Sequence, residues 1–357
     1  AGSEPAGGIF ANYLELPGLP PMTVEVDGRG PLDQWRAQWL VAASSEPFIA
    51  GRATIDASDR RHDRLLLRSR LDGYLAPILP PVLKAIFDGK TVAQLEAVWD
   101  GSSAFEDVAL SVKSDTLDLS ANGGFNASNS YLHGGGRFRL GEGNSQTVLI
   151  PLPDGGTISF AQLGGAVELP DRKESRKIAA EVSVSKLDTP WGYLASAELT
   201  SSARQMQPVG ERSHSLDAGL VSLAIREFVP REEKFEGVLG PSGDVEIRGR
   251  TSSGMAVIES FAVNAGALRL AGYGKLANGI TTVTADVIAD DLGKFSSLAD
   301  VALAGASRLK IQASVPLDGA PIDFALDGRA ADLGFGGGTD GFVLPGDTHL
   351  AAAARCV

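Results

Sequence analysis

The sequence predicts an all-β fold: a long repeat sheet, antiparallel or mixed, carrying one or two short helices. Three observations lead there. Short segments alternate apolar and polar residues with a period of two, the pattern of a strand with one oily face and one wet face. Met22–Asp27 shows it, with Met22, Val24 and Val26 set between Thr23, Glu25 and Asp27. Glycine supplies 43 of 357 residues, well above the ordinary ~7%, and is spread through the chain as turns. Helical periodicity is scarce, so few helices are available to cover the apolar faces.

Composition narrows the function. Lys plus Arg is 32 and Asp plus Glu is 44, a net charge of −12. An acidic chain with 4 His and no basic run is a poor nucleic-acid binder. A direct grip on an anionic membrane needs a polybasic patch, and no run of that kind is present. One cysteine, Cys356, rules out a disulfide framework within the chain. No stretch approaches the ~20 apolar residues of a membrane-spanning helix.

Taken in order, Ala6–Leu16 is apolar with helix-like spacing and stops at Pro17-Gly18. After the strand at Met22–Asp27 and the turn Gly28–Pro31 come Ala37–Ala42, Phe48–Asp56 and Leu65–Leu71, read as strands of roughly five to eight residues. Tyr74–Asp88 breaks the rhythm. Pro81 suits the first helical position, Val82, Leu83, Ile86 and Phe87 share a face, and Gly89 stops the helix, so Pro81–Asp88 is expected as a short amphipathic helix.

Strands are then expected at Val92–Trp99, Val108–Val112, Thr116–Ala121, Gly136–Leu140, Thr147–Leu152, Thr157–Gln162, Ala166–Leu169, Ile178–Lys186 and Leu194–Ser201. Asp171–Lys177 reads as a charged turn and Gln205–Ser215 as a linker. Leu216–Phe228 fits helix or strand, and Arg231–Lys234 is a solvated charge cluster. The later strands are Asp244–Gly249, Ala256–Asn264, Ala267–Gly272, Thr281–Ile288, Ser307–Val315 and Ile322–Asp327. His349–Val357 looks like a strand cut in the middle, so an internal piece of a longer protein is expected. The resulting division is 1–204, a first β-groove segment; 205–236, linker-like; and 237–357, a second β-repeat segment.

Repeats support one unit copied with drift. Val26-Asp27-Gly28 and Trp99-Asp100-Gly101 are each followed by a glycine 23 residues later, Gly51 and Gly124, and Gly249 and Gly272 keep that spacing. A step of 41 carries Asp291-Leu292-Gly293 onto Asp332-Leu333-Gly334. The same step carries Leu303, Gly305, Ser307 and Leu309 onto Leu344, Gly346, Thr348 and Leu350.

Catalytic constellations are not found. Gly89-Lys90-Thr91 ends like a phosphate loop, but Lys84 stands where the first glycine belongs. Gly141–Gln146 lacks the last glycine of GxGxxG. There is no GxSxG elbow. His62, His133, His214 and His349 are scattered without zinc-ligand spacing. Asp27, Asp72, Asp100, Asp318 and Asp327 each precede glycine, which is turn chemistry. Trp35, Trp39 and Trp99 read as core or as covers over turns. No catalytic residue, metal or cofactor is expected, and the chain is not read as an enzyme.

What remains is the alternation. Roughly eighteen one-face-apolar strands must fold onto a second sheet, close into a barrel, or curl into a trough that a greasy ligand fills. On pattern alone the packed sandwich or solenoid is the default.

Glu4–Trp35, EPAGGIFANYLELPGLPP followed by MTVEVDGRGPLDQW, resembles the interior of TamB-type proteins of the AsmA-like group. The Ala-Asp-Leu-Gly of 331–334 and the Gly/Leu-spaced strands fit the same repeats. The resemblance implies that the repeat sheet is long and curled, forming an open hydrophobic groove that bridges the inner and outer membranes. It implies phospholipid traffic between them and insertion of outer-membrane proteins with a barrel partner of TamA type. It also implies a periplasmic location, anchored to the inner membrane through a part not present in this chain. No membrane anchor and no C-terminal barrel-docking domain are recognised here.

The functional expectation is therefore a groove segment conducting phospholipids between the membranes, assisting outer-membrane protein assembly and secretion, or both. Its partners would be phospholipid acyl chains and, through missing regions, the barrel protein; nucleic acid is not expected. The candidate lining residues are Val24, Val26, Trp39, Val41, Ile55, Leu65, Leu67, Leu110, Val112, Ile150, Phe160, Ile178, Val182, Val184, Val245, Ile247, Leu268, Leu270, Leu309 and Ile311. The alternative is a β-solenoid or β-sandwich module of a surface or secreted protein, its inner face sealed by its own side chains.

Overall fold

A computed structural model describes residues 1–9, 20–31, 33–44, 46–59, 64–76, 79–101, 103–126, 131–141, 147–152, 156–169, 177–205, 216–252, 255–316, 321–336 and 342–356. The helix-like stretch Ala6–Leu16 lies mostly outside these residues. So do the charged turn at 171–177, apart from its last residue, and the linker-like segment, apart from its first. Contacts divide the chain into two compact units, Ala1–Ser175 and Arg176–Val357. The fold is all-β and the sheet is open and antiparallel.

Unit 1 contains β1 (Gly2–Glu4), β2 (Met22–Arg29), β3 (Gln34–Ala43), β4 (Glu46–Asp59), β5 (Arg64–Gly73) and β6 (Thr91–Trp99). It continues with β7 (Ala104–Lys113), β8 (Leu117–Asn126), β9 (Tyr131–Leu140), β10 (Val148–Pro151), β11 (Thr157–Phe160) and β12 (Gln162–Leu169). Neighbours from β1 to β9 pair in chain order, always antiparallel. β12 then pairs with β9, and β10–β11 form a hairpin within the connection between them.

Unit 2 contains β13 (Lys177–Thr189), β14 (Gly192–Gln205), β15 (Leu216–Arg226), β16 (Val229–Pro230), β17 (Ser242–Ser252) and β18 (Met255–Ala265). It ends with β19 (Leu268–Ala277), β20 (Ile280–Ala289), β21 (Leu303–Pro316), β22 (Ile322–Phe335) and β23 (Phe342–Cys356). These too pair antiparallel in chain order, with β16 a short addition to β14 and β15 passing directly to β17.

The strands are longer than the sequence reading expected, up to 15 residues. The reason is that several residues read as turns lie inside strands, some of them beside bulges. Gly123 and Gly134, both at positive φ, face each other across β8 and β9. Asp107 in β7, Lys186 in β13 and Asp332 in β22 hold left-handed conformations without ending their strands. A bulge adds one residue, bends the strand and restores the alternation beyond it. Leu216–Phe228, ambiguous in sequence, is strand β15 up to Arg226, with Ala218 at such a position.

Among the described residues the helices are short. The expected helix Pro81–Asp88 stops at Lys84; Ala85 caps it, and Ile86 and Ala85 then give their carbonyls to Thr116 Oγ1 at 2.7 and 3.1 Å. In unit 2, four-residue helices Glu236–Leu239 and Ser296–Ala299 follow short 3-10 turns. The 41-residue repeat is kept in part. Gly305 and Gly346 both take positive φ in strands β21 and β23, whereas Asp291-Leu292-Gly293 starts a 3-10 turn and Asp332-Leu333-Gly334 lies within β22.

Candidate functional site

Antiparallel partners stand on the same face of a sheet, so register sorts side chains into rows that run across the strands. In unit 2 one row is Val182, Leu199, Leu223, Val245, Val263, Leu270, Val287, Leu309, Gly328 and Leu350. The next is Ala180, Ser201, Val221, Ile247, Phe261, Gly272, Ala285, Ile311, Leu326 and Ala352 through the same pairings. The opposite face reads Glu181, Thr200, Ser222, Glu246, Ala262, Ala271, Asp286, Lys310, Asp327 and Ala351. Ten strands at a ~4.8 Å spacing extend the apolar row over roughly 43 Å.

Unit 1 is built alike. Val26, Trp39, Gly51, Leu71, Ala93, Val112, Leu119, Phe138 and Gly165 form one row. Gly28, Ala37, Ala53, Ser69, Leu95, Leu110, Ala121, Gly136 and Val167 form the next. Leu65, Trp99, Phe105, Phe125 and Leu132 make a third.

Each apolar face is closed at one set of strand ends and open over the rest. In unit 1, Met22, Ile49, Thr91, Leu117 and Leu140 are buried at one rim. The connection 74–90 docks there, through Ser114 Oγ donating to the Ile86 carbonyl and the Asp115 N–H donating to that of Asp88. Thr91 is fully buried and its hydroxyl has no partner. At the opposite rim Phe125 is 43% and Leu132 54% exposed. In unit 2 the buried set is Val238, Ala267, Ala289, Ser307 and Ala330. There the helical connections meet: the Ala267 N–H donates to the Val238 carbonyl at 3.0 Å, and Ser297 Oγ to that of Lys234 at 2.9 Å. Away from this rim Leu199 and Val221 remain 39% and 38% exposed.

Glycines keep the relief of these faces low. Trp39 lies over Gly51, its partner across β3 and β4, so that a Cβ there would overlap the indole. Phe261 lies over Gly272 in the same way across β18 and β19. Trp35 sits against Gly28, 3.5 Å from where a Cβ would stand. The rings lie flat on the sheet instead of standing up from it. An apolar hollow of about 450 Å³ opens at β1 and β2, lined by Met22, Val24 and Val26. A recess of about 720 Å³ lies instead on the polar side of unit 1, among Arg36, Arg52, Arg68 and Arg70.

The sequence-derived lining candidates distribute as follows. Val182, Val245, Leu270 and Leu309 share one row, and Ile247 and Ile311 share the next. Val184 and Leu268 belong to the row nearest the closed rim, and Ile178 lies beyond the first two rows on the same face. In unit 1, Val26, Trp39 and Val112 share a row, Ile55 pairs with Leu67 and Val24 with Val41. Leu65 and Leu110 stand on the same face. Ile150 and Phe160 lie in the β10–β11 hairpin. Phe160 is buried, Val26 is 64% exposed and the other eighteen are half-buried. The list omitted Leu95, Leu119, Phe138, Val167, Leu199, Leu223, Val263, Val287, Leu326 and Leu350, which complete the rows. Their signal was the same alternation, masked where a bulge shifts the parity.

Among the described residues no group of three or more His, Cys, Asp or Glu could hold a metal ion. No helix among them is long and apolar enough to cross a membrane. The ion pairs are exposed, on the polar side. Arg70 donates to Asp72 Oδ2 at 2.6 Å and holds that carboxyl below the usual carboxylate range, with Lys90 adding to the effect. Arg355 acts likewise on Asp323, also at 2.6 Å.

Fold and surface define a class: an open antiparallel β-sheet protein with one face apolar and only partly covered. No family model, no curated protein and no solved structure matches this chain.

Proposed function

We propose that the chain is a segment of a TamB-like periplasmic envelope protein that carries phospholipid acyl chains along its apolar rows between the inner and outer membranes. The same surface would serve the passage of outer-membrane proteins during assembly. The observation that supports this is the incomplete cover of the rows: Leu199 and Val221, second and third in their rows, stand 39% and 38% exposed, and most of their row neighbours are half-buried. A soluble sheet normally hides such a face against a second layer.

Each methylene moved out of water contributes about 0.8 kcal/mol, so a sixteen-carbon chain would gain roughly 12 kcal/mol on a fully apolar surface. Half-exposed rows recover part of that. Valine, leucine and alanine repeated from strand to strand give no position where a chain is held more tightly than at the next. Glycine under Trp39 and Phe261 removes the ridges that would stop it sliding. Transport of this kind needs no catalytic group.

The test is mass spectrometry of the full chain after purification without detergent. Co-purifying phospholipid is expected. Leu270→Glu, in the middle of a row, should lower the bound lipid at least about tenfold, because a charge facing a hydrocarbon chain costs more than the ~1.4 kcal/mol of one decade. Its melting temperature should stay within a few degrees of the parent's. Absence of lipid from the parent protein would overturn the reading, and unfolding of Leu270→Glu would show the row to be a packed core.

A further inference from the structure

The polar side of unit 1 holds four arginines from three consecutive strands. Arg52 of β4 stands directly opposite Arg70 of β5. In the next row Arg36 of β3 and Arg68 of β5 flank Thr54 of β4. Directly opposed side chains such as Arg52 and Arg70 have Cβ atoms about 5 Å apart and diagonal ones such as Arg36 and Arg52 about 7–8 Å, and like charges at those spacings repel. Two of the four are neutralised: Arg70 by Asp72, and Arg68 by Glu96 at 3.2 Å. Arg36 and Arg52 make no ion pair or side-chain hydrogen bond among the described residues. The recess between them, about 720 Å³, is lined by four arginines against two carboxylates, Asp56 and Glu96.

Unit 2 supplies the contrast. A recess of about 580 Å³ on its polar side brings Arg308, Lys310 and Arg329 against Asp286, Asp290, Asp327 and Asp347. Arg308 and Arg329 stand opposite each other there as well, but four aspartates outnumber the three basic side chains. The excess of positive charge in unit 1 stands out in a chain of net charge −12.

We propose that Arg36 and Arg52, supported by Arg68 and Arg70, form an anion site that takes a phosphate group. The guanidinium fork matches phosphate oxygens in pairs, and a bound dianion would replace the repulsion between neighbouring arginines with attraction. The site faces away from the apolar rows, so it stands whether or not those rows carry lipid. A phospholipid headgroup at a membrane surface and a soluble phosphate present the same oxygens.

The test uses the full chain at low salt with two probes. One is inorganic phosphate, followed by calorimetry. The other is phosphatidylcholine vesicles with and without phosphatidylglycerol, followed by sedimentation. Saturable binding of at least one phosphate-bearing probe is expected, weakening as salt is added. The double variant Arg36→Ser/Arg52→Ser should weaken it at least about tenfold, given the strength of charge-assisted hydrogen bonds. The matched double variant Arg308→Ser/Arg329→Ser should leave it within about twofold, since acid outnumbers base in that recess and an anion is not drawn to it. Binding of free phosphate identifies a soluble ligand, and binding only to phosphatidylglycerol vesicles identifies a headgroup; either supports the site. Failure of both probes, or an equal loss in the unit 2 variant, overturns it. Circular dichroism of each variant separates loss of binding from loss of fold.

Discussion

Unit 1 and unit 2 place aromatic rings over glycines on their apolar faces, Trp39 over Gly51 in one and Phe261 over Gly272 in the other. Both close one rim with a helical connection and leave the remaining rows exposed. Their polar faces differ. Both carry exposed arginine ion pairs, but in unit 2 the opposed Arg308 and Arg329 sit among four aspartates, whereas in unit 1 Arg36 and Arg52 lie beside two other arginines in a recess lined by two carboxylates. The apolar pattern recurs because a one-sided sheet has few ways to stay flat and anchored. The polar pattern is free to vary, since exposed ion pairs contribute little to stability.

The largest effects are expected at the closed rims. Leu117→Ala in unit 1 should lower the unfolding free energy by about 2–4 kcal/mol and Val238→Ala in unit 2 by about 1.5–3 kcal/mol, both by urea denaturation. If both cost less than about 0.5 kcal/mol, the rims are not cores and the shared architecture fails.

The glycine pairs come next, and here the units should separate. A Cβ at Gly51 would meet only the Trp39 ring, which can tilt, so Gly51→Ala should cost about 1 kcal/mol. A Cβ at Gly272 would press on the Thr284 carbonyl and the Ala285 backbone as well as Phe261, so Gly272→Ala should cost about 2–3 kcal/mol. Thermal unfolding of the two variants gives the order, and the reverse order would show the Trp39 contact to be the stiffer one.

The smallest effect is on pH. Asp72 and Asp323 both have carboxyls held below their ordinary range by an arginine. A depressed folded-state pKa adds stability that is complete above the unfolded value of about 3.9 and is lost as pH falls through the folded value. Acid titration of stability should therefore show a decline beginning below about pH 4. Asp72→Asn should remove more of it than Asp323→Asn, because the Asp72 side chain is 28% exposed against 55% for Asp323. An equal or inverted effect would place the stronger pair in unit 2.

Much of the fold is legible in single segments. Ile178, Ala180, Val182 and Val184 alternate so regularly that β13 and its apolar face follow from ten residues. Strand ends are not legible in the same way. Gly123, Gly134 and Gly305 look like turns, yet pairing with neighbouring strands keeps them inside β8, β9 and β21, and that pairing depends on a partner the local sequence does not show. The helix at Pro81 begins where proline predicts. It ends early because Ala85 and Ile86 give their carbonyls to Thr116, some thirty residues away. The lining residues are legible as a set and illegible as rows.

Alternation is a local consequence of strand geometry, in which successive side chains point to opposite faces, so the sequence alone determined a set of one-face-oily strands and the scarcity of helices to cover them. Register belongs to pairs of strands. It decided that Val182 and Leu350, 168 positions apart, end the same row. It decided as well that Arg36, Arg52, Arg68 and Arg70 gather on one side although no basic run joins them. Hydrogen bonding between neighbouring strands sets that register, and only the folded sheet contains it.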